Sequence, residues 1–297
     1  MKIGVPSPLS LRIPGSIANL GPGFDTLAVA VQLYLELHVT CLAGRNELCF
    51  HFVDCQVDGE NYIERAFRFL AHQHRGDFPS IRVEVRSQIP MKGGLGSSAA
   101  ATVAGLRLYE AIAEPLPQQG LLNAACALEG HPDNVAASLL GGLTVSCQMP
   151  DRSAFALSSH WPEALEFIVL TPCFSLSTAA SREVLPEQIS RDDAVFNLQR
   201  VALLLQALER NEFALLREAL QDRLHQPYRE ALVPGLEEAL ALEHPDLLGV
   251  CLSGAGPSLV ALTQTNHRAV GDLLASVFRA KSVPFTMRRL KAHQPRD

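Results

Sequence analysis

The sequence predicts an α+β protein of two domains, and three observations carry that reading. Strand-like and helix-like stretches are mixed along the chain. Near residue 165 the pattern changes, from strands interleaved with glycine turns to runs at helical spacing. A chain of 297 residues is also long enough to bury one large core or two moderate ones, and the change of pattern favours two. The expected division is residues 1–164, a mixed α/β unit, and residues 165–297, an α+β unit.

The elements follow in order. From Leu27 through Val29, Val31, Leu33, Leu35, Leu37 and Val39 every odd position is apolar, the period of one long or bent strand or of a hairpin arm. "YIERAFRFLAHQHR" reads as a helix. In "SIRVEVRSQIP" Ile81, Val83 and Val85 alternate with Arg82, Glu84 and Arg86, a half-buried strand that feeds a glycine-rich turn. After that turn Ser97, Ser98, Ala99 and Ala100 look like a helix start. "GGLTVSCQ" and "LEFIVLTP" read as further strands. Beyond residue 165, Val195, Leu198, Val201, Leu205 and Leu208 stand at helical spacing behind Ser190, a residue suited to cap that helix. The chain then reads strand ("LLGVCLS"), turn ("GAGP"), strand ("SLVALT"), helix (Val270, Leu273, Leu274, Val277 and Phe278 on one face) and strand ("VPFTMRRL").

Composition narrows the partners. A formal charge of −6 without basic blocks argues against nucleic acid or a membrane surface and for a small-molecule ligand. No apolar run approaches a membrane span and "MKIGVPSPLSLRIPG" lacks the apolar core of a signal peptide, so a cytoplasmic location is expected. The seven cysteines are scattered with no C-x-x-C pair and read as reduced packing residues.

Several stretches carry possible chemistry. In "PMKGGLGSSAA" the glycines Gly93, Gly94 and Gly96 lie between a strand and a helix start, an arrangement that points several N–H groups at one spot and suits a phosphate. No lysine follows the last glycine and the spacing is not G-x-G-x-x-G, so the turn alone stands level between phosphate binding and a structural role. "PGSIANLGPGFD" reads as a loop between two strand candidates; its Asn19 and Asp25 can bind a polar ligand or simply cap their own turn. "EGHPDNV" gathers Glu129, His131, Asp133 and Asn134 before an apolar helix, more polar groups than one helix cap requires. A carboxylate there can hold Mg²⁺ while His and Asn hydrogen-bond a substrate. Thr178 and Arg182 in "STAASREVLP", and His225 and Arg229 in "HQPYREALVPG", offer partners for a carboxylate or are solvated surface groups. "CLSGAGPSLV" is a third glycine turn, ordinary for a hairpin when taken by itself.

Together, in this order and at these spacings, "PGSIANLGPGFD", "PMKGGLGSSAA" and "CLSGAGPS" resemble the three motifs of the GHMP kinases over nearly the whole chain. The resemblance implies an N-terminal nucleotide-binding domain, a ferredoxin-like C-terminal domain, and a kinase that uses ATP and Mg²⁺. With "ANLGPGFD", "EGHPDNV", "STAASR" and "HQPYR" it points to the branch whose acceptor is L-homoserine, phosphorylated on its side-chain hydroxyl in threonine biosynthesis. The other readings are a family kinase for another small alcohol such as mevalonate, and a non-catalytic binding protein of the same fold. Carried onto this sequence, the nucleotide would be held by Asn61 and by Pro90, Met91, Lys92, Gly93, Gly94, Leu95, Gly96, Ser97, Ser98, Ala99 and Ala100. Ser98 and Glu129 would bind the metal. Asn19, Asp25, His131, Asn134 and Thr178 would hold the amino and hydroxyl ends of the substrate, and Arg182 and Arg229 its carboxylate. Asp133 or Asn134 would face the reacting hydroxyl, and a second copy of the chain is the expected protein partner. The resemblance departs from the family pattern at Ile17, where a small hydroxyl residue is more usual, and at Gly93, where a basic residue is.

Overall fold

The computed structural model describes residues 9–53, 59–75 and 77–295. The first sheet grows from one long antiparallel pair, β1 (Leu9–Ala18) and β2 (Leu27–Arg45). β2 is a single strand whose odd-numbered apolar residues from Leu27 to Val39 are all buried. Its register against β1 shifts between Pro14 and Gly15, and a bulge of this kind bends a strand. β3 (Leu48–Phe52) is followed by helix α1 (Tyr62–His74) and by β4 (Pro79–Ser87), which runs parallel to β3 and antiparallel to the far half of β2. Three helices come next: α2 (Ser97–Ile112), α3 (Gln118–Glu129) and α4 (Asp133–Leu140). β5 (Leu143–Gln148) pairs with the first residues of β2, and β6 (Ala154–Ser159) lies outside it. The sheet order is therefore β3-β4-β2-β5-β6, with β1 on the free side of β2. Helices α1 to α4 pack on one another and on β1 and β2.

The second sheet begins with β7 (Glu166–Pro172). Helices α5 (Thr178–Glu183), α6 (Arg191–Arg210), α7 (Leu216–Ala219), α8 (Gln226–Arg229) and α9 (Leu236–Leu240) lead to β8 (Gly249–Leu252), β9 (Leu259–Thr263), α10 (His267–Ala280) and β10 (Phe285–Leu290). The antiparallel order β10-β7-β9-β8 sets the fourth, first, third and second strands side by side, the ferredoxin-like arrangement. Every residue of β7 is buried because both its faces are covered. Phe167 and Val169 join the large core shared with the first sheet, while Ile168 and Leu170 pack with Leu274 and Phe278 of α10. After β10 the chain returns to the first sheet, where Ala292 bridges Val31 and His293 exchanges backbone hydrogen bonds with Ala30 and Gly142 at 2.7–2.8 Å.

Four expectations need correction. Pro14–Ala18 belongs to β1, so only the second half of "PGSIANLGPGFD" is loop. β3, β6 and α3 have no counterpart in the sequence reading. On α6 Ser190 does cap the helix, its hydroxyl accepting from Asp193 N at 3.0 Å, and the expected Val201, Leu205 and Leu208 face the core with Leu204 and Ala207, but Val195 and Leu198 in the first turns are exposed (43% and 71%). The buried polar side chain of Asn197 explains the rotation, since Nδ2 must reach Pro22 O and Asp222. Of the six described cysteines, all free thiols, only Cys126 and Cys251 are buried; Cys41, Cys49, Cys147 and Cys173 are exposed, and Cys55 lies outside the described residues. No helix among the described residues is long and apolar enough to cross a membrane.

Helices α1 and α2 meet at Gly105, where a methyl group would stand 2.1 Å from the carbonyl oxygen of Ile63 and 2.9 Å from Ala66 Cβ. Alanine is the better helix former by about 1 kcal/mol, yet the clash is with backbone and outweighs it. Gly105→Ala should lower stability by about 1–3 kcal/mol, read as a reduced urea midpoint with an unchanged slope.

Candidate active site

Three glycine turns converge where the two sheets meet. Gly94 and Gly96 take φ values of +79° and +70°, and Gly96 opens α2 without any side-chain cap. The carbonyls before the helix are all engaged: Gly93 O accepts from Ser258 Oγ at 2.5 Å, Gly94 O from Ser253 Oγ at 2.6 Å, and Leu95 O from Ser16 N at 3.1 Å. In a trans peptide the next N–H points the opposite way, so the N–H groups of Gly94, Leu95 and Gly96 turn from those partners. The first motif is tied to the third as well, through Asn19 Nδ2 to Gly254 O (2.9 Å) and Gly254 N to Ala18 O (3.1 Å). An uncapped helix N-terminus behind a turn with its N–H groups freed is an anion site.

Beside the turn lies a cavity of about 590 Å³. Leu35, Phe52, Ile63, Val85 and Ile89 give it apolar walls, and Asn61, Lys92, Gly94, Gly96, Ser97 and Ser98 also line it. The Asn61 carbonyl oxygen caps α1 by accepting from Ile63 N (3.1 Å) and Glu64 N (3.3 Å), which leaves Nδ2 for a ligand. Ser98 Oγ donates to Glu129 Oε2 at 2.8 Å, Thr102 Oγ1 donates to Oε1 at 2.8 Å, and Arg65 Nη2 stands 3.5 Å from Oε1. Ser98 and Glu129 bring a hydroxyl and a carboxylate together beside the turn, hard oxygens of the type that would hold Mg²⁺. This donor set fits Mg²⁺.

The opposite end of the cavity is polar. Asp133 is buried; its Oδ1 accepts from His131 Nδ1 (2.6 Å) and Asn134 N (2.7 Å). Burial alone would lower the His131 pKa, but the hydrogen bond and charge of Asp133 outweigh it and hold the imidazole above its ordinary value. Arg182 makes a bidentate pair with Asp25, at 3.0 and 2.6 Å. Ligand atoms of Asp25, His131 and Asp133 lie within 4.8 Å of one another; Arg182 pairs with Asp25, and His131 pairs with Asp133.

Arg229 is almost fully buried on α8. Nε donates to Ser181 O (3.1 Å), and Nη1 to Gly254 O (3.0 Å) and His225 Nδ1 (2.9 Å). Burial, then the charge of Arg182, bring its pKa down to about 10, so it stays cationic at neutral pH. Because Arg229 can only donate, His225 Nδ1 accepts and its proton sits on Nε2, which donates to Gly21 O at 2.7 Å. Asp222 organises the approach to α8, accepting from the backbone of Leu224, His225 and Gln226 and from Asn197 Nδ2. Phe24 stacks on His225 and lies beneath both guanidinium groups, 5.4 Å from Arg182 and 5.5 Å from Arg229.

The cavity thus collects Asn19, Asp25, Asn61, Met91, Lys92, Glu129, His131, Asp133, Asn134, Thr178, Arg182 and Arg229, together with Gly94 and Gly96–Ser98 of the turn. Pro90, Gly93, Leu95, Ala99 and Ala100 do not line it; Leu95, Ala99 and Ala100 are buried in the core beneath the loop and shape it from below. One pairing differs from expectation: Asp25 and Arg182, expected to hold opposite ends of a ligand, hold each other. Sequence reasoning missed Ser16, Phe24, Thr102, Asp222, Ser253 and Ser258. Ser16, Phe24, Ser253 and Ser258 lie inside the quoted motifs "PGSIANLGPGFD" and "CLSGAGPS", and Thr102 stands one helical turn after Ser98 on the same face of α2; Asp222 carried no local signal.

Comparison with known proteins bears on this geometry. Residues 61–142 match the model of the GHMP kinases N terminal domain and residues 204–278 that of the GHMP kinases C terminal domain. The chain belongs to the GHMP kinase family. Kinases of this family use ATP as the phosphate donor. Among relatives, a homoserine kinase of Solibacter usitatus is 40% identical over 91% of this chain and 90% of its own length. One of Deinococcus radiodurans is 40% identical over 90% of each. The crystal structure of homoserine kinase from Cytophaga hutchinsonii superposes with a TM-score of 0.84 at 25% identity, covering 96% of both chains. The crystal structure of L. major mevalonate kinase in complex with R-mevalonate shares the fold, with a TM-score of 0.71 at 16% identity over 99% of this chain and 98% of that one.

The His225 network makes stability depend on pH. Burial lowers the His225 pKa, so below the ordinary histidine value of about 6.5 the unfolded chain binds the proton that the fold refuses. Stability from this group is therefore complete above about pH 6.5 and is lost as the pH falls from there toward the depressed value. As the pH falls from 6.5 to 5, the wild type should lose more thermal stability than His225→Gln, which cannot titrate.

Proposed function

We propose that this chain transfers the γ-phosphoryl group of ATP to the side-chain hydroxyl of L-homoserine, giving O-phospho-L-homoserine in threonine biosynthesis. The relatives named homoserine kinase support the substrate, and one observation carries it: the Asp25–Arg182 pair stands in the cavity next to Arg229. An amino acid brings an ammonium and a carboxylate on one carbon. Such a zwitterion can exchange with the pair, ammonium to Asp25 and carboxylate to Arg182 and Arg229, without leaving a buried charge unpaired. An alcohol bearing a carboxylate alone, such as mevalonate, would take Arg182 from Asp25 and offer it nothing in return. A purely binding role is disfavoured by the intact Ser98–Glu129 pair, which serves phosphoryl transfer.

The remaining roles follow from position. The N–H groups of the glycine turn and the start of α2 hold the nucleotide phosphates, and the apolar walls take the base. Ser98 and Glu129 would hold Mg²⁺, which when bound would supply charge neutralisation at the transferring phosphate. Asn134, half-buried and lining the cavity, faces the acceptor hydroxyl; Asp133 also lines the cavity, but its Oδ1 is occupied by His131 and the Asn134 backbone. A loose transition state asks chiefly for alignment and charge neutralisation, so an amide suffices where a strong base is absent. The nucleotide-binding unit is taken as residues 1–164 and the C-terminal unit as 165–297, since β1–β6 precede residue 160 and β7 opens at Glu166.

Two measurements test the reading. Glu129→Gln should lower kcat by about a hundredfold or more and raise the Mg²⁺ concentration required, with the KM for homoserine nearly unchanged; full activity at limiting Mg²⁺ would remove Glu129 as the ligand. Arg229→Leu should raise the KM for homoserine by roughly tenfold to a hundredfold, the loss of a charge-assisted bond of about 1.5–3 kcal/mol. The KM for homoserinol, which lacks the carboxylate, should move little. Equal penalties for the two acceptors would mean that Arg229 supports the fold alone.

A further inference from the structure

Ser16 lies in β1, wholly buried, and no role described above depends on its side chain. Its hydroxyl donates to Asn134 Oδ1 at 2.7 Å, across 118 residues of sequence. On the other side of the same amide, Asn134 Nδ2 is 3.3 Å from Asp133 Oδ1. These two contacts define the orientation of the amide, because turning it over would set Oδ1 against the Asp133 carboxylate and put Nδ2 toward the serine. Gly96 closes the arrangement: a Cβ there would stand 2.1 Å from Ser16 Oγ and 3.1 Å from Asn134 Oδ1, so only glycine lets the serine reach the amide past the phosphate turn.

We propose that Ser16 is a positioning residue for phosphoryl transfer, which acts by holding the Asn134 amide with its NH₂ toward the acceptor oxygen. The proposal rests on the reading that Asn134 faces the acceptor hydroxyl. With Oδ1 committed to Ser16 and one Nδ2 hydrogen to Asp133, the second Nδ2 hydrogen is the one left for the cavity, and it can only donate. The acceptor oxygen receives that hydrogen bond, which fixes its position while its own proton is directed away from Asn134. Removing the hydroxyl leaves Oδ1 in a confined space without a donor, and the amide then turns to seek one, which costs alignment and not binding.

The test is a double-mutant cycle read as kcat and KM. Ser16→Ala should lower kcat with homoserine about tenfold, leaving both KM values within about twofold. Asn134→Ala should lower kcat further, and the double variant should match Asn134→Ala alone, because once the amide is gone the serine has nothing to hold. Ser16→Cys, which is bulkier and a weaker donor, should fall between Ser16→Ala and the wild type and gives a second reading of the same contact. Wild-type kcat in a folded Ser16→Ala or Ser16→Cys, multiplicative losses in the double variant, or a rise in the KM for ATP in place of the kcat loss would each overturn the proposal and leave the Asn134 reading standing. Wild-type kcat in Asn134→Ala would instead overturn the reading on which it rests.

Discussion

The approach of the Gly94 backbone to the Ser253–Gly256 turn is the constraint on which the site depends. A Cβ at Gly94 would lie 2.5 Å from Ser253 O and 2.6 Å from Gly256 O, so the two turns are in direct backbone contact. Ser253 and Ser258 anchor the carbonyls of Gly94 and Gly93, and the chain between them is thereby held with its N–H groups facing the other way. An element of the second sheet thus fixes the conformation of a loop in the first. The nucleotide turn cannot be understood from its own glycines, since without the Ser253–Ser258 hairpin it would lack the partners that orient it.

The same junction explains how so much charge is held between the sheets. Charge brought out of water is costly unless paired, and each group here has a partner supplied by a different part of the chain. Asp25 from the first motif meets Arg182 on α5, while Arg229 on α8 spends its donors on Ser181, Gly254 and a neutral His225. Phe24 lies under both guanidinium groups and keeps them near one another despite their like charge. A cavity whose charges are balanced before a ligand arrives discriminates by exchange. Under the proposed function, a zwitterion replaces the Asp25–Arg182 pairing that it disrupts, a pair whose side chains are 33% and 38% exposed.

Much of this was legible in the sequence because period and turn chemistry are local. The odd-position apolar residues of β2, the glycine turn ahead of α2, the Ser190 cap and the strand–turn–strand of β8 and β9 all declare themselves within a few residues. What could not be read was the pairing of distant groups. Ser16 with Asn134, Asp25 with Arg182 and Asp222 with Asn197 are contacts set by packing, and no spacing in the chain announces them. The misread face of α6 has the same origin: Asn197 is polar, so periodicity assigns it outward, yet two buried acceptors draw it in and turn Val195 and Leu198 to the surface. Helix α3 was missed because its apolar pattern is short and small-residue rich, and its end at Glu129 was legible only as part of a polar cluster.

Strand geometry also shows what surrounds the two departures from the family pattern. Alternation along β1 sends Ser16 and Ile17 to opposite faces. Ile17 is fully buried and belongs to the main core, where an apolar side chain fits and a hydroxyl would need a buried partner, while Ser16 faces the phosphate turn and carries the hydroxyl. At Gly93 a Cβ would meet Pro90 Cγ at 3.0 Å and Thr171 Cγ2 at 3.3 Å, so a side chain there would press on packed neighbours and not reach into the cavity. Lys92, with φ at +52°, is the basic residue that lines the cavity from this loop. Lys92 thus reaches the cavity from a left-handed turn, and the glycine that follows gives the loop clearance against Pro90.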